Sequence, residues 1–302
     1  MMVFAKVIIM VDNLYEVNNM AISAMKDVNL EKAKNLFAYN ARNNPSFLTH
    51  FNYASFLIEF HSDFCINAKK EIKNELLSAQ TYYKSYLIDY ALGKFYLNTK
   101  KYRLAIKYFQ KASTLTSSVH IYNDLGIAYF YIRNYKKALF YFQKASKVCT
   151  KEEASLIYES ICITLILLKN FSESDKYFKK ITNYDYEQIT PQLIKIAYFC
   201  RDYEFIKLNI INLFKEWLIT PELLKILSNT ITKAKNNTSN EFISDILKMQ
   251  ATNNLDKTAK KILLSKRKYK YFIKKNNFHP THIFLCMFLG CKEHLESNIE
   301  RI

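Results

Sequence analysis

The chain is poor in the residues that make tight turns, because its 302 residues include only three glycines and four prolines. A β-sheet protein of this length needs many tight turns, and such turns draw on glycine and proline. Half of the residues are hydrophobic and 15% are aromatic, a composition that excludes a disordered chain. The composition therefore predicts an all-α protein, in which helices are joined by short polar turns.

Signals for export and for membrane insertion are also missing. The first apolar run ends at Asp12 without a small-residue cleavage site, so a signal peptide is not predicted. No apolar run reaches the roughly 18 residues that a membrane-spanning helix needs. The six cysteines are scattered through apolar stretches and include no Cys-x-x-Cys pair, a pattern typical of buried, reduced thiols. Together these features predict a cytoplasmic protein.

Motifs for catalysis and cofactor binding are absent. Three isolated glycines cannot form a phosphate-binding loop, and the sequence contains neither His-Glu-x-x-His nor Gly-x-Ser-x-Gly. We therefore predict no catalytic residues, no cofactor and no small-molecule substrate, and we expect that the protein is not an enzyme.

One cluster near the C-terminus contains residue types that bind metals, namely His279, His282, Cys286, Cys291 and His294. If this segment is helical, His282 and Cys286 share one helix face, a spacing that metal ligands can use. However, Cys-x4-Cys is not a usual zinc spacing, and the surrounding residues are strongly apolar. The cluster therefore favours a packed C-terminal helix and no metal.

What the chain does contain is a repeat of 33 residues. Residues 90–113 read YALGKFYLNTKKYRLAIKYFQKAS, and residues 123–146 read NDLGIAYFYIRNYKKALFYFQKAS. Each copy has apolar residues at helical spacing, then a polar break, then a second helical pattern. Because one pair of antiparallel helices cannot bury its apolar face alone, the repetition predicts helix pairs that cover one another in a stack.

The glycines of the repeat predict how each pair packs. A glycine inside a helix costs about 1 kcal/mol relative to alanine, so Gly93 and Gly126 require a structural reason. Both are followed twelve residues later by a small residue, Ala105 or Ala138. We expect that the missing side chain lets the second helix of each pair approach the first closely.

These copies resemble the tetratricopeptide repeat (TPR) family, whose pattern is Trp-x2-Leu-Gly-x2-Tyr followed by Ala-x3-Phe. The resemblance is carried by Leu92-Gly93 with Tyr96, Ala105 and Phe109, and by the same residues 33 positions later. The tryptophan position of the family holds Asp89 and Tyr122 instead. The resemblance implies a right-handed α-solenoid of stacked antiparallel helix pairs, with additional C-terminal helices.

Fainter copies extend the predicted solenoid over residues 12–185, with about five repeats that are clearest at 86–150. Residues 186–302 are predicted to hold degenerate helical repeats and a basic C-terminal helical region. At Thr190-Pro191 the sequence predicts a helix start, because threonine caps helices and proline suits the first helical position. Leu289-Gly290 is interpreted either as a last degenerate repeat or as the C-terminal cap of a helix.

The resemblance also implies a function, since TPR proteins commonly bind an extended peptide or a partner's helix in a concave groove. We therefore expect a protein-interaction scaffold or adaptor whose partner is another protein or a peptide. In the family the first helix of each repeat lines the groove. Transferred to this sequence, the predicted lining residues are Tyr90, Lys94, Leu97, Asn98, Asn123, Ile127, Phe130, Tyr131, Glu159 and Ile163.

A strongly basic stretch, 257–275, leaves a second possibility open. The chain carries a net charge of +17, and this stretch contains nine basic residues and no acidic one. It could be an amphipathic helix whose lysines face water, or it could contact nucleic acid or an anionic membrane surface. The alternative function is thus a regulator or assembly factor that uses a basic patch of Lys266, Arg267, Lys268, Lys270, Lys274 and Lys275.

Overall fold

A computed structural model describes residues 14–60, 68–182, 190–202, 205–206, 208–209, 278–283 and 285–291. Within these ranges the regular elements are all α-helices, as the composition predicts. In chain order they are α1 (Leu14–Lys26), α2 (Leu30–Asn43), α3 (Phe47–Glu59), α4 (Ala68–Tyr82), α5 (Tyr86–Asn98), α6 (Tyr102–Leu115), α7 (Val119–Tyr131), α8 (Tyr135–Ala145), α9 (Lys151–Leu167), α10 (Phe171–Thr182) and α11 (Pro191–Cys200). None of these helices is both long and apolar enough to cross a membrane.

The helices pack as neighbouring pairs in two compact units. In the first unit, which holds the described residues up to Ile132 together with 285–291, α1 packs on α2, α3 on α4 and α5 on α6. The second unit holds the described residues from Arg133 to Ile283, and there α9 packs on α10 and α11. The all-α fold of stacked helix pairs is confirmed, whereas the boundary predicted near residue 185 falls outside the described residues.

Several first helices also contact the first helix of the next pair: α3 contacts α5, α5 contacts α7, and in the second unit α9 contacts α11. We call α1, α3, α5, α7, α9 and α11 the first helices. Polar side chains on first helices that contact one another can therefore lie side by side.

Within the pair α5 and α6, Gly93 is in direct contact with the ring of Phe109. A Cβ atom added to Gly93 would lie 3.0 Å from Cγ of Phe109 and nearer still to two other ring carbons. The ring is fully buried and also packs against the Tyr90 ring, with centroids 5.6 Å apart. The expected close approach of the two helices is therefore present, and Gly93 leaves room for the aromatic ring.

The turns inside the pairs use left-handed backbone conformations without glycine. Among the residues that the structure describes, five other than glycine have φ between 57° and 64°: Val28, Lys100, Arg133, Lys169 and Arg201. At Lys100 the helix end is a Schellman motif, in which the N–H of Lys101 donates to the Tyr96 carbonyl oxygen at 2.8 Å. The N–H of Lys100 donates to the Leu97 carbonyl oxygen at 2.9 Å. Glycine is the residue usually found at such a position, so this chain accepts strain there.

In four of these five turns, the residue after the left-handed position accepts a backbone N–H with its side chain, as a helix N-cap does. The side chains of Asn29, Asn134, Asn170 and Asp202 each accept the N–H of the residue three positions later, at 3.0–3.3 Å. The fifth turn has Lys101, whose side chain makes no capping hydrogen bond to α6. One backbone N–H at the start of α6 therefore lacks the side-chain acceptor found in the other turns.

The missing cap predicts a stabilising substitution. We expect Lys101→Asn to raise the free energy of unfolding by about 1 kcal/mol, because asparagine can accept a backbone N–H at the start of α6. Urea denaturation followed by circular dichroism measures the change. The matched control is Asn134→Lys, which removes the equivalent cap of α8 and should lower the same quantity by a similar amount. Equal stabilities of Lys101→Asn and the wild type would contradict the prediction.

Residues 278–283 and 285–291 correct one expectation. The sequence predicts a packed C-terminal helix here, but these residues form neither helix nor strand. Leu289-Gly290 is likewise neither a repeat helix nor a helix cap, but the centre of a turn. The physical reason is that side chains of the helical pairs bind the backbone of this segment, which therefore needs no helical hydrogen bonds of its own.

Candidate peptide-binding site

The first unit holds a stretch of irregular backbone through one asparagine side chain. Asn52, on α3, is completely buried and pairs with both backbone groups of Leu289. The N–H of Leu289 donates to Oδ1 of Asn52 at 2.8 Å, and Nδ2 of Asn52 donates to the Leu289 carbonyl oxygen at 2.9 Å. A carboxamide that pairs with both groups of one residue acts as a neighbouring β-strand would. The contact therefore recognises the peptide backbone and not a particular side chain.

A second asparagine completes this contact from the neighbouring first helix. Asn18, on α1, donates from Nδ2 to the same Leu289 carbonyl oxygen at 3.2 Å. Its Oδ1 accepts the other hydrogen of Asn52 Nδ2 at 2.7 Å. The two buried amides are therefore connected to each other and to the bound backbone, as buried polar groups must be.

Aromatic contacts hold the residue before Leu289. The ring of Phe288 stacks on Phe37 of α2, with centroids 5.6 Å apart and planes at 20°. Phe37 in turn packs against Phe56 of α3, with centroids 5.5 Å apart. One residue earlier, the hydroxyl of Ser55 lies 3.5 Å from the Met287 carbonyl oxygen, a long hydrogen bond. The site thus combines backbone pairing with a pocket for one aromatic side chain.

A tight turn ends this stretch. The N–H of Cys291 donates to the Phe288 carbonyl oxygen at 3.3 Å, and Gly290 has a φ of +76°. A positive φ at the third residue of such a turn is typical of a type II β-turn and favours glycine. A Cβ atom on Gly290 would meet Nδ2 of Asn18 only at 3.6 Å, so the backbone conformation, and not space, requires glycine here.

The second unit binds residues 278–283 in a similar way. The N–H of Thr281 donates to the hydroxyl of Ser160 at 2.8 Å, and its own hydroxyl donates to Oε2 of Glu159 at 3.1 Å. The N–H of His279 donates to Oε1 of Gln192 at 3.1 Å. Gln192 also donates from Nε2 to Oε1 of Glu159 at 2.7 Å. Again, side chains of first helices satisfy backbone groups of an irregular segment.

The carboxyl group of Glu159 predicts a pH dependence. Burial raises the pKa of Glu159 above its ordinary value of 4.5, although hydrogen bonds from Gln192 and Thr281 act in the opposite direction. A carboxyl whose pKa is raised by folding stabilises the protein below its unfolded-state pKa, and this contribution is lost as the pH rises through the folded-state pKa.

We therefore expect Glu159→Gln to gain stability relative to the wild type as the pH rises from 4.5 through the raised pKa of Glu159 to neutrality. The free energy of unfolding of both proteins in urea, measured at several pH values in this range, tests the sign. Gln192→Ala, which removes a donor to the carboxylate, should raise the pKa of Glu159 further and steepen the dependence. Parallel pH curves for the wild type and Glu159→Gln would contradict the prediction.

The comparison with protein families identifies residues 90–151. The family model described as tetratricopeptide repeat matches residues 90–118 and 119–151, which contain the two clear copies of the sequence repeat. The chain contains tetratricopeptide repeats. Proteins of this family in general mediate protein–protein interaction and are not enzymes.

Solved structures of TPR proteins have a similar fold. The pilF protein of Pseudomonas aeruginosa is 16% identical, with a TM-score of 0.57 over 70% of this chain and 96% of that chain. The C-terminal part of a TPR protein from Cytophaga hutchinsonii is 16% identical, with a TM-score of 0.57 over 82% and 100%. A TPR protein from Parabacteroides merdae is 16% identical, with a TM-score of 0.51 over 83% and 97%. A search of curated protein sequences found no match.

Asn18 and Glu159 stand at equivalent positions of the TPR repeat. In four pairs a residue on the first helix is followed twelve positions later by a small residue on the second helix: Ala21 by Ala33, Gly93 by Ala105, Gly126 by Ala138 and Cys162 by Ser174. Three residues before the first member of each pair stand Asn18, Tyr90, Asn123 and Glu159. All four are buried. The repeat therefore places a buried side chain with a polar group at one position of four first helices, and two of these bind irregular segments of the chain.

Two predicted groove residues on α5 contact a buried carboxylate on α7. The hydroxyl of Tyr90 donates to Oδ2 of Asp124 at 2.9 Å, and Nζ of Lys94 lies 3.5 Å from the same oxygen. Burial, together with the negative charge of Asp124, raises the pKa of Tyr90, which therefore remains a hydrogen-bond donor. These contacts join two successive first helices, so Tyr90 and Lys94 have a structural role whether or not a partner binds.

The remaining predicted groove residues differ in exposure. Asn98 is exposed, and its Nδ2 lies 3.4 Å from the Ile58 carbonyl oxygen. Tyr131 is half-buried, and its ring stacks on Tyr102 with centroids 4.9 Å apart. The others are buried, namely Leu97, Asn123, Ile127, Phe130, Glu159 and Ile163. Their role in binding a partner stays a prediction.

Sequence reasoning missed the residues that bind the backbone of 285–291. Asn18, Asn52 and Ser55 are polar residues within otherwise apolar helix faces, and this is the signal that could have revealed them. Of the predicted groove residues, Glu159 bonds to one of the two irregular segments, through the hydroxyl of Thr281.

The cysteines are buried or half-buried thiols where the structure describes them. Cys162 replaces the repeat glycine, and its Sγ lies 3.4 Å from the carbonyl oxygen of Ser174, which replaces the repeat alanine. Burial raises the pKa of Cys200 to about 11 and also raises the pKa of Cys162. Across the described ranges no three His, Cys, Asp or Glu side chains form a group that could hold a metal. His294, from the predicted cluster, lies outside those ranges, as does the whole basic patch from Lys266 to Lys275.

Proposed function

We propose that the protein is a non-enzymatic scaffold that binds an extended peptide segment of a partner protein on its first helices. The observation that carries this proposal is the pairing of Asn52 with both backbone groups of Leu289. A side chain that pairs with peptide backbone on a first helix can bind any segment that offers an N–H and a carbonyl group in the same geometry.

The repeat supports the proposal beyond this one site. Asn18, Tyr90, Asn123 and Glu159 stand at the same position of four first helices, so a polar group recurs at one position of the repeat. Of the predicted groove residues, Asn98 is exposed and Tyr131 is half-buried, so both can contact a bound segment.

Photocrosslinking from defined positions tests this proposal. A photoreactive amino acid is placed at Asn98 or Tyr131, on first helices, and in separate variants at Leu104 or Phe140, which are exposed on second helices. After illumination of the cells that make the protein, mass spectrometry identifies the crosslinked peptides. We expect one partner sequence to be crosslinked from Asn98 and Tyr131 and not from the two controls. Crosslinks to a partner only from Leu104 or Phe140 would contradict the proposal.

A basic C-terminal segment gives the alternative function its support, because the last 46 residues carry a net charge of +8. Substitution of Lys266, Arg267, Lys268 and Lys270 by glutamine separates the two functions. The scaffold predicts unchanged crosslinking from Asn98 and Tyr131. A regulator that binds nucleic acid predicts lost binding and a weaker dependence of the remaining binding on salt concentration.

A further inference from the structure

Residues 285–291 are bound to the first unit as a separate ligand would be. Leu289 is 237 residues from Asn52 and 271 residues from Asn18 along the chain, and every contact between them is non-local. The segment has no helix or strand of its own, and the N–H and carbonyl groups of Leu289 are satisfied by side chains of α1 and α3. We call the surface formed by Asn18, Phe37, Asn52 and Ser55 the docking face.

The docking face selects its ligand by three features. Asn52 and Asn18 bind backbone groups, which any extended peptide offers. Phe37 provides an aromatic surface that Phe288 covers. The turn after Leu289 needs a residue with positive φ, a role that suits glycine. The matching chemistry is an extended apolar segment that contains an aromatic residue, an aliphatic residue and a glycine in succession.

We propose that the docking face binds such a segment of a partner protein, and that residues 285–291 occupy the face until the partner displaces them. The inference rests on the proposed function, since it names the segment that competes for one of its peptide sites. Displacement is an exchange of similar ligands: the incoming backbone makes the same hydrogen bonds to Asn52 and Asn18 that Leu289 gives up. The apparent affinity of the partner is then lowered by the fraction of molecules whose face is occupied.

The test uses a peptide probe and the full chain. The probe is a fluorescein-labelled peptide of residues 283–292 in which Cys286→Ser and Cys291→Ser remove the thiols. Phe288→Asp in the protein should release the segment, because a carboxylate cannot remain stacked on Phe37 without losing its hydration. Fluorescence anisotropy should show at least 10-fold tighter binding of the probe to Phe288→Asp than to the wild type.

Two further variants identify the site. Phe288→Asp combined with Asn52→Ala should bind the probe at least 10-fold more weakly than Phe288→Asp alone, because the backbone pairing is lost. Phe140→Asp is the matched control, since it makes the same change at a side chain that is 51% exposed on α8. It should bind the probe as weakly as the wild type does. Equal affinity of the probe for Phe288→Asp with and without Asn52→Ala would overturn the assignment of the docking face.

The rate at which the two thiols of the segment are alkylated gives an independent measure of its release. Cys286 and Cys291 are 7% and 5% exposed, so alkylation followed by mass spectrometry should find them slow in the wild type and fast in Phe288→Asp. Fast alkylation without tighter probe binding would overturn the proposal, while crosslinking from Asn98 and Tyr131 could still support the proposed function. The probe could also bind the wild type as tightly as it binds Phe288→Asp. The docking face would then still be a peptide site, but the proposed competition with residues 285–291 would be overturned.

A second variant covers the case in which Phe288→Asp fails to fold or to release the segment. Leu289→Pro removes the N–H that donates to Asn52 and leaves the docking face itself unchanged. It should give the same increase in probe affinity and in thiol alkylation. Thiols that remain protected in a folded Leu289→Pro protein would show that the segment does not leave its site, and this result would also overturn the proposal.

Discussion

A protein that carries alanine in place of Gly93 is expected to be about 2 kcal/mol less stable than the wild type, because the new methyl group overlaps the ring of Phe109. Helix propensity alone predicts the opposite, a gain of about 1 kcal/mol from alanine within α5. A net loss can therefore come only from the close contact between the two helices. The free energy of unfolding in urea, measured for both proteins at the same pH, gives the sign directly.

The cause of this loss can be tested by changing the other side of the contact. Phe109→Leu alone should destabilise the protein by about 1–3 kcal/mol, since it removes part of a fully buried ring. In the Gly93→Ala protein the same change makes room for the methyl group. The double variant should therefore be at least about 1 kcal/mol more stable than the sum of the two single losses predicts. Strict additivity would show that the overlap is not the cause.

Replacement of all five left-handed residues by glycine is expected to raise the free energy of unfolding by about 3–5 kcal/mol. These residues are Val28, Lys100, Arg133, Lys169 and Arg201. A left-handed conformation costs an ordinary residue about 1–2 kcal/mol. Part of the gain is offset because glycine has more conformational freedom to lose on folding, about 0.5–1 kcal/mol. The five turns are separate, so the individual gains should add approximately.

Single variants show whether the gain comes from the turn geometry. Lys100→Gly should stabilise the protein, while Lys107→Gly, at an exposed position inside α6, should destabilise it by about 1 kcal/mol. Val28→Gly should give the largest single gain, because a β-branched side chain tolerates positive φ least. Thermal unfolding of each variant measures its stability and so the order of the three effects. A stabilising effect of Lys107→Gly would contradict the explanation.

The repeat made much of the fold predictable. Helical spacing and the 33-residue offset indicate helix pairs, and the structure confirms an all-α stack with α5 and α6 in one pair. Gly93 could be interpreted from sequence because a helical glycine needs a local reason, and Phe109 supplies it. Gly93 and Phe109 lie on neighbouring helices of one pair, where spacing along each helix determines which side chains meet.

The segment that contains Leu289 could not be predicted in the same way. Its apolar run fits a buried helix as well as an extended chain, because periodicity does not separate the two when nearly every residue is apolar. Its conformation is decided by Asn52, more than 200 positions earlier, and by the side chains of other helices. The left-handed turns could not be predicted from the sequence either, because lysine and arginine, found at Lys100 and Arg133, do not indicate a positive φ.

The contact between Asn18 and Leu289 has a consequence for the order of events during translation. At about 5–20 residues per second, the ribosome needs roughly 15–55 s to add the 271 residues that separate them. Once α3 has also been made, the nascent chain carries the amides of α1 and α3 before their intramolecular ligand exists. A partner that meets the chain while it is still attached to the ribosome therefore has no competitor for that site, and one that arrives afterwards does.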